Sequence, residues 1–203
     1  MQLSREDRAR ITEAVRNAEA KTSGEIVCVL ARSSSDYAAL PTLWAALIAL
    51  SAPWPLIVFT QWPVQHIYVA QLVAFALALF VFSLGDIRVA LTPRAVRRAH
   101  AHRAAMEQFV IRGVTRTRER TGVLIFVSLA ERYARIVADD AVDAKVKHSD
   151  WQAAVDALIS HVREDRLADG FVAAIDRCGV ILAKHFPGES DDQDELPDRL
   201  FIV

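Results

Sequence analysis

The 203-residue sequence predicts an α/β fold, a small mixed sheet in an α/β/α layered domain interrupted by a two-helix transmembrane hairpin. Three observations lead there. Hydrophobic residues make up 53% of the chain and mean hydropathy is positive, and the excess is concentrated in one block. That block, from Tyr37 to Gly85, has no Asp, Glu, Lys or Arg, and its ~49 residues are about twice what one membrane-spanning helix needs. Around it, helical and strand patterns alternate in the order α, β, hairpin, α, β, β, α, α. This order places two strands in parallel through a long right-handed crossover.

The N-terminal "LSREDRARITEAVRNAEAKT" opens with Ser4 as N-cap and an acidic first turn, then sets Ile11, Val15 and Ala18 on one face. "GEIVCVLARS" is short and β-branched, and reads as a buried strand. In the uncharged block the first span is Leu40–Thr60 and the second about Ile67–Leu84, with "QWPVQH" as the turn. Pro53 and Pro55 kink or shorten the first span. Trp54, Trp62 and Tyr68 at the turn, with Tyr37 and Trp44 at the other end, form the expected interfacial aromatic belts. The turn carries no basic residue, whereas Arg88, Arg94, Arg97, Arg98 and Arg103 follow the second span and Lys21 and Arg32 precede the first. By the positive-inside rule this is a multi-pass protein of the inner (plasma) membrane with both termini cytoplasmic. Arg94, Arg97, Arg98 and Arg103 are expected to meet anionic lipid headgroups, with Trp54 and Trp62 at the opposite interface. The charged first 36 residues do not read as a signal peptide.

After the hairpin, "LTPRAVRRAHAHRAAMEQFVIRG" has Thr92 as N-cap, Pro93 at the first helical position and a stripe of Val96, Ala99, Met106, Phe109 and Val110, ending at Gly113. "TGVLIFVSLAERYARIVAD" gives strands Val123–Ser128 and Tyr133–Ala138 about a polar turn at Ala130–Arg132. Strand Glu25–Arg32 should pair parallel with Val123–Ser128, and Tyr133–Ala138 should return antiparallel. Ser149–Gln152 is a capping box for a helix carrying Trp151, Leu158 and Val162. Phe171, Ile175, Cys178, Leu182 and Phe186 mark the last helix, which Pro187 and Gly188 stop. The domain therefore takes residues 1–36 and 87–186, with spans at 40–60 and 67–85. Residues 187–203 are an acidic tail, mostly coil, with its last four residues docked.

"TSGEIVCVLARS", "TGVLIFVSLAERYARIVAD", the later helix with its Trp and "HFPGESDDQDELPD" together resemble the TPM domain family, named after thylakoid-lumen and photosystem II repair proteins, and in particular its small bacterial membrane proteins. The resemblance implies an α/β/α fold, work in membrane-complex maintenance and, for some members, acid phosphatase activity or divalent-cation binding. Asp139 matches the "AD" of the bacterial group, and Asp194 stands where relatives have Asn.

The chemistry centres on "RIVADDAV". If Asp140–Lys147 is a short helix, Asp139 and Asp143 lie four apart and could share calcium or magnesium through oxygen ligands. Asp139 or Asp140 could equally cap the helix, or do acid/base work without a metal. The carboxyl ends of the parallel strands, at Arg32–Ser35 and Ser128, are the usual ligand position in an open α/β sheet. Asp139 should lie at the opposite edge. Thr115, Thr117, Thr121 and Gly122 have no phosphate-loop spacing. His100 and His102, two apart on a helix, face different ways and make a poor zinc pair. "ESDDQDE" lacks the glycine and distant Glu of a calcium loop, Cys28 and Cys178 read as buried thiols, and a net charge of −1 gives no reason to expect nucleic acid.

Two functions remain. One is a membrane-anchored, non-catalytic cytoplasmic module that partners the lipid bilayer and another membrane protein during assembly or maintenance. The other is a divalent-cation-dependent, phosphatase-like hydrolase using the Asp139 region. The residues do not decide whether it is an enzyme.

Overall fold

The computed structural model describes residues 3–35, 37, 39–188 and 195–203, without the side chains of Gly85, Asp86 and His148. The chain divides into two compact units, Met1–Ser34 with Ala101–Val203, and Ser35–His100.

In the first unit, helix α1 (Arg5–Glu19) starts as predicted. Ser4 Oγ accepts from the Asp7 amide and Asp7 Oδ2 accepts from the Ser4 amide, both at 3.0 Å, a reciprocal capping box. Strand β1 (Ile26–Ala31) pairs parallel with β2 (Val123–Ser128), Ile26 facing Val123, and β2 pairs antiparallel with β3 (Tyr133–Ala138). Both pairings are those the sequence predicts. Every residue of β1 and β2 is buried, which is why these strands are apolar runs without alternation.

The tail contributes more than coil. Strand β4 (Leu200–Ile202) lies parallel to β1 on its free edge, so the sheet order is β3-β2-β1-β4. Hydrogen bonds from Arg32 N to Val203 O and from Val203 N to Leu30 O, each 3.0 Å, extend that pairing to the last residue.

Helices cover both sheet faces. On one, α1, α8 (His148–Arg163) and α9 (Leu167–His185) enclose Ile26, Cys28, Leu30, Ile125 and Val127 with Phe171, Ile175 and Leu182. Gly179 permits the close approach of α9 to α1, since a Cβ there would sit 2.8 Å from Ala18 Cβ. On the other face, Ala105 and Phe109 of α6 (Arg94–Ile111), with Val114, cover Val27, Val29, Leu124 and Phe126.

Three local expectations need correction. Only Phe109 of the predicted stripe on α6 is in the core. Ala101 and Ala105 take the neighbouring positions, while Val96, Met106 and Val110 are 39%, 41% and 59% exposed. Ala101, Ala105 and Phe109 follow one another at four-residue spacing on a single helix face, and Met106 and Val110 lie about 100° round from it. Thr92 does not cap α6: its buried Oγ1 donates to Arg88 O at 3.2 Å. Helix α8 begins one residue before the predicted box, with Lys147 at the N-cap and no capping side chain.

In the second unit, Ala39–Phe59 and Val64–Ser83 are each long and apolar enough to cross a membrane. Only 11% and 6% of them are buried, unlike core helices of a soluble protein. The first is broken into α2 (Ala39–Ser51) and α3 (Pro53–Phe59) where Pro53 removes an amide donor. The second, α4 (Val64–Ser83), starts three residues earlier than predicted because Pro63 takes the N-cap. Buried Ala45 and Ala49 of α2 face α4, whose Ala70, Ala74 and Ala78 are half-buried, the small-residue contact typical of apolar helix pairs. A short α5 (Gly85–Ala90) follows.

Candidate functional site

Strand β3 delivers Asp139 to the end of the sheet where β1 and β2 begin. Its amide donates to Gly122 O at 2.9 Å, continuing the β2–β3 ladder by one bond. Extended backbone at Asp139 (φ −79°, ψ 167°) then turns the chain into α7 (Asp140–Asp143). Asp139 is the N-cap: Oδ1 accepts from the Asp140 amide at 2.8 Å, and its carbonyl accepts from the Val142 and Asp143 amides.

The other carboxylate oxygen is held from across the turn. Arg120, in left-handed backbone (φ 57°), donates Nε to Asp139 Oδ2 at 2.9 Å and a terminal nitrogen to Asp140 Oδ2 at 2.6 Å. The two acids are not equivalent, since the Asp139 side chain is 2% exposed and that of Asp140 is 87% exposed. Hydrogen bonding to Asp139 raises the Arg120 pKa further, so the guanidinium stays charged. Thr121 Oγ1 ties the same turn to Ser23 O at 2.9 Å. Asp143, one turn on, is exposed, so one member of the suggested cation pair is buried on an arginine and the other faces solvent.

At the opposite end, about 20 Å away along six-residue strands, lies a second polar cluster. Buried Glu131 accepts from the Ser34 amide at 2.9 Å, from Ser33 Oγ at 3.3 Å and, in a short contact, from Ser128 Oγ. Ser34 Oγ donates to Ser128 Oγ at 3.0 Å. The carboxyl-end position was legible in the sequence, but Glu131 was not. Its signal is the "SLAE" spacing, which brings an acid back over Ser128 across a tight turn.

A third acidic group, also missed by the sequence reading, anchors the tail. The Glu25 carboxylate accepts from the Glu195 and Leu196 amides at 3.1 and 3.3 Å, and Asp198 pairs with Arg16 at 2.8 Å. Beside them Glu19 accepts from the Ile26 amide at 2.7 Å. Burial, with the charges of Glu25 and Asp198, pushes its carboxyl up to about 9. These residues are far apart in sequence, and no motif announces them.

Among the described residues no three His, Cys, Asp or Glu side chains gather as a metal site. His100 stacks edge-on against Tyr37 with ring centroids 5.5 Å apart, and His102 is exposed. Cys28 and Cys178 are buried free thiols whose pKa burial raises, that of Cys178 to about 12. Arg94, Arg98 and Arg103 are exposed and Arg97 half-buried along α6, while Trp54 and Trp62 are 74% and 53% exposed. Most of "ESDDQDE", including Asp194, lies outside the described residues.

A mixed four-stranded sheet between helical layers, with an apolar helix pair inserted after its first strand, defines the class: an α/β/α domain carrying a hairpin. Residues 83–181 match the TPM domain family. That match covers just under half of the chain. The matched region holds β2, β3, α5 to α8 and most of α9, while α1, β1, β4, the apolar α2 and α3 and nearly all of α4 lie outside it. The NMR structure of the BA42 protein from the psychrophilic bacterium Bizionia argentinensis superposes with a TM-score of 0.63 at 21% identity, covering 100% of this chain and 97% of that one. That likeness establishes the fold. No curated protein matches the chain.

Proposed function

We propose that the protein is a TPM-domain module anchored in the inner membrane by the hairpin Ala39–Phe59 and Val64–Ser83, with both termini in the cytoplasm. In this reading it is a non-catalytic interaction domain that engages another membrane protein during assembly or maintenance. The observation that carries the reading is the hairpin. Two adjacent apolar helices, almost unburied, find their natural solvent in lipid. The arginines after the second helix support the orientation. The engagement of Asp139 with Arg120 and with its own helix supports a structural role for the "AD" residues.

The test uses the full-length protein in native membranes. Cysteine introduced at Gln65 should label from outside the cell, cysteine at Gln193 should label only after lysis, and cross-linking should recover a membrane-protein partner. The reverse labelling pattern overturns the orientation, and the absence of any partner overturns the module. The competing hydrolase reading predicts calcium- or magnesium-dependent cleavage of a phosphomonoester that Asp139→Asn and Asp143→Asn abolish. Such activity would replace the non-catalytic reading.

A further inference from the structure

Helix α9 carries an acid, an apolar residue and a base in one row of its solvent face. Asp176, Val180 and Lys184 follow one another at four-residue spacing, and all three are exposed. Val180 is 72% exposed, more than any other large apolar side chain described in the unit of Met1–Ser34 and Ala101–Val203. Among the described residues neither Asp176 nor Lys184 has an ion-pair partner. Along α9 itself, the positions three and four away from each carry no opposite charge, so the helix does not neutralise them. A groove of about 510 Å³ between α8 and α9 is lined by Ala153, Asp176, Val180 and Lys184, and by Asp150 of α8, which forms no ion pair with Lys184.

An acid and a base equally spaced on either side of an apolar residue make a row complementary to its own reverse. When two such helices cross antiparallel about a two-fold axis at Val180, Asp176 of each copy faces Lys184 of the other. Each pair then lies ~6 Å along the helix from the axis, with the two valines meeting between them. We propose that this row is a self-association surface through which two copies of the chain pair by antiparallel contact of α9. A second copy suits it because one surface supplies both halves of the match. Two-fold symmetry makes every favourable contact twice and sets no like charges of the row opposite one another. Ridges of four-residue spacing interdigitate with their own kind, the commonest packing of two helices. Ala153, exposed in the groove, offers the approaching helix no bulk. Every residue of this surface lies in the unit of Met1–Ser34 and Ala101–Val203, so the inference goes beyond the anchored module and does not depend on it.

The test uses the full-length protein in native membranes. Val180→Cys places one thiol per copy at the axis, while the native Cys28 and Cys178 are buried. A short bismaleimide should join two copies through this position into a product of twice the chain mass, and Met106→Cys, exposed on α6, should give none. In the Val180→Cys background, Asp176→Lys or Lys184→Glu alone sets like charges opposite and should cut the yield about tenfold. Both changes together restore opposite charges in reversed order and should recover it, which also shows that the variants fold. Sedimentation of the detergent-solubilised chain with Val180 intact should show the same loss and recovery of the dimer. Absence of the doubled product, indifference to the single reversals, or a double reversal no better than either single one overturns the proposal. A cross-linked product of any other mass also overturns it and assigns the row to a different protein.

Discussion

Arg120 and Asp139 form an ion pair 2.9 Å long between a half-exposed guanidinium and a buried carboxylate, and it closes the end of the sheet where β1 and β2 begin. The same guanidinium reaches Asp140, but that acid is in water. One arginine therefore meets two adjacent acids with unequal consequences. A carboxylate already desolvated loses its compensation when its partner goes, whereas an exposed one exchanges it for water.

Asp139→Asn should destabilise the protein by ~1–3 kcal/mol, since it removes a charged acceptor from a buried position. Asp140→Asn should cost less than about 0.5 kcal/mol. Denaturant unfolding of the two variants decides this, and equal costs would show that Arg120 treats the two acids alike.

Glu19 gives the fold a pH dependence of known sign. Its carboxyl is raised from an ordinary 4.5 to about 9, first by burial and then by its acidic neighbours. The folded chain keeps a proton that the unfolded chain releases above 4.5. This contribution is full below about 4.5, declines as pH rises, and is lost by about 9. Glu19→Gln keeps an acceptor for the Ile26 amide and adds a donor toward Asp198. It should stabilise the protein near pH 8 by on the order of 1 kcal/mol and flatten the profile between those limits. Thermal melts from pH 5 to pH 9 (~0.5-unit steps) measure it. A profile as steep as that of the parent chain would remove Glu19 from the account.

Gly179 is required by proximity. Its φ lies in the ordinary helical range, and the constraint is the 2.8 Å that would separate a Cβ from Ala18 Cβ. Gly179→Ala should cost ~1–3 kcal/mol by forcing α9 from α1, and Ala18→Gly in the same chain should recover part of that loss. A double variant no more stable than Gly179→Ala would point to some other cause.

Strand β4 is an edge strand held mostly by its backbone and by Phe201, whose ring centroid is 4.0 and 5.0 Å from the guanidinium carbons of Arg112 and Arg199, while Glu25 holds the approach to it at Glu195 and Leu196. Phe201→Ala should loosen the tail by ~1–2 kcal/mol, through lost burial and two cation–π contacts. Hydrogen exchange should speed up first at the Arg32 and Val203 amides, which bond across β1 and β4. Uniform acceleration across the sheet would instead mean that β4 unfolds only with the whole domain.

Much of this architecture is local and was therefore legible. The apolar periodicity of α1 and α9, the unbroken apolar runs of β1 and β2, the Pro53 break and the uncharged block each depend on neighbours within one or two turns. The TPM resemblance rested on the same contiguous segments, and Asp139 was legible as a helix cap because a cap bonds to the next few residues. Other features depend on residues brought together by the sheet. Arg120 lies 19 positions from Asp139, Glu131 lies 97 from Ser34, and Glu25 lies 170 from Glu195. Such pairings leave no periodic trace, because a polar side chain in a turn satisfies local rules whatever it later meets. The stripe of α6 was misread for a related reason. The apolar residues of that helix are spread round more than one face, and burial selects the i, i+4 row Ala101, Ala105 and Phe109 rather than the row of Met106 and Val110 about 100° away. By itself the sequence determined the elements, their order and the apolar hairpin, since these follow from short-range backbone preference and hydrophobic burial. Only the tertiary structure decided which acids are desolvated and by what they are matched, because charge compensation acts between residues that the fold, not the chain, makes neighbours.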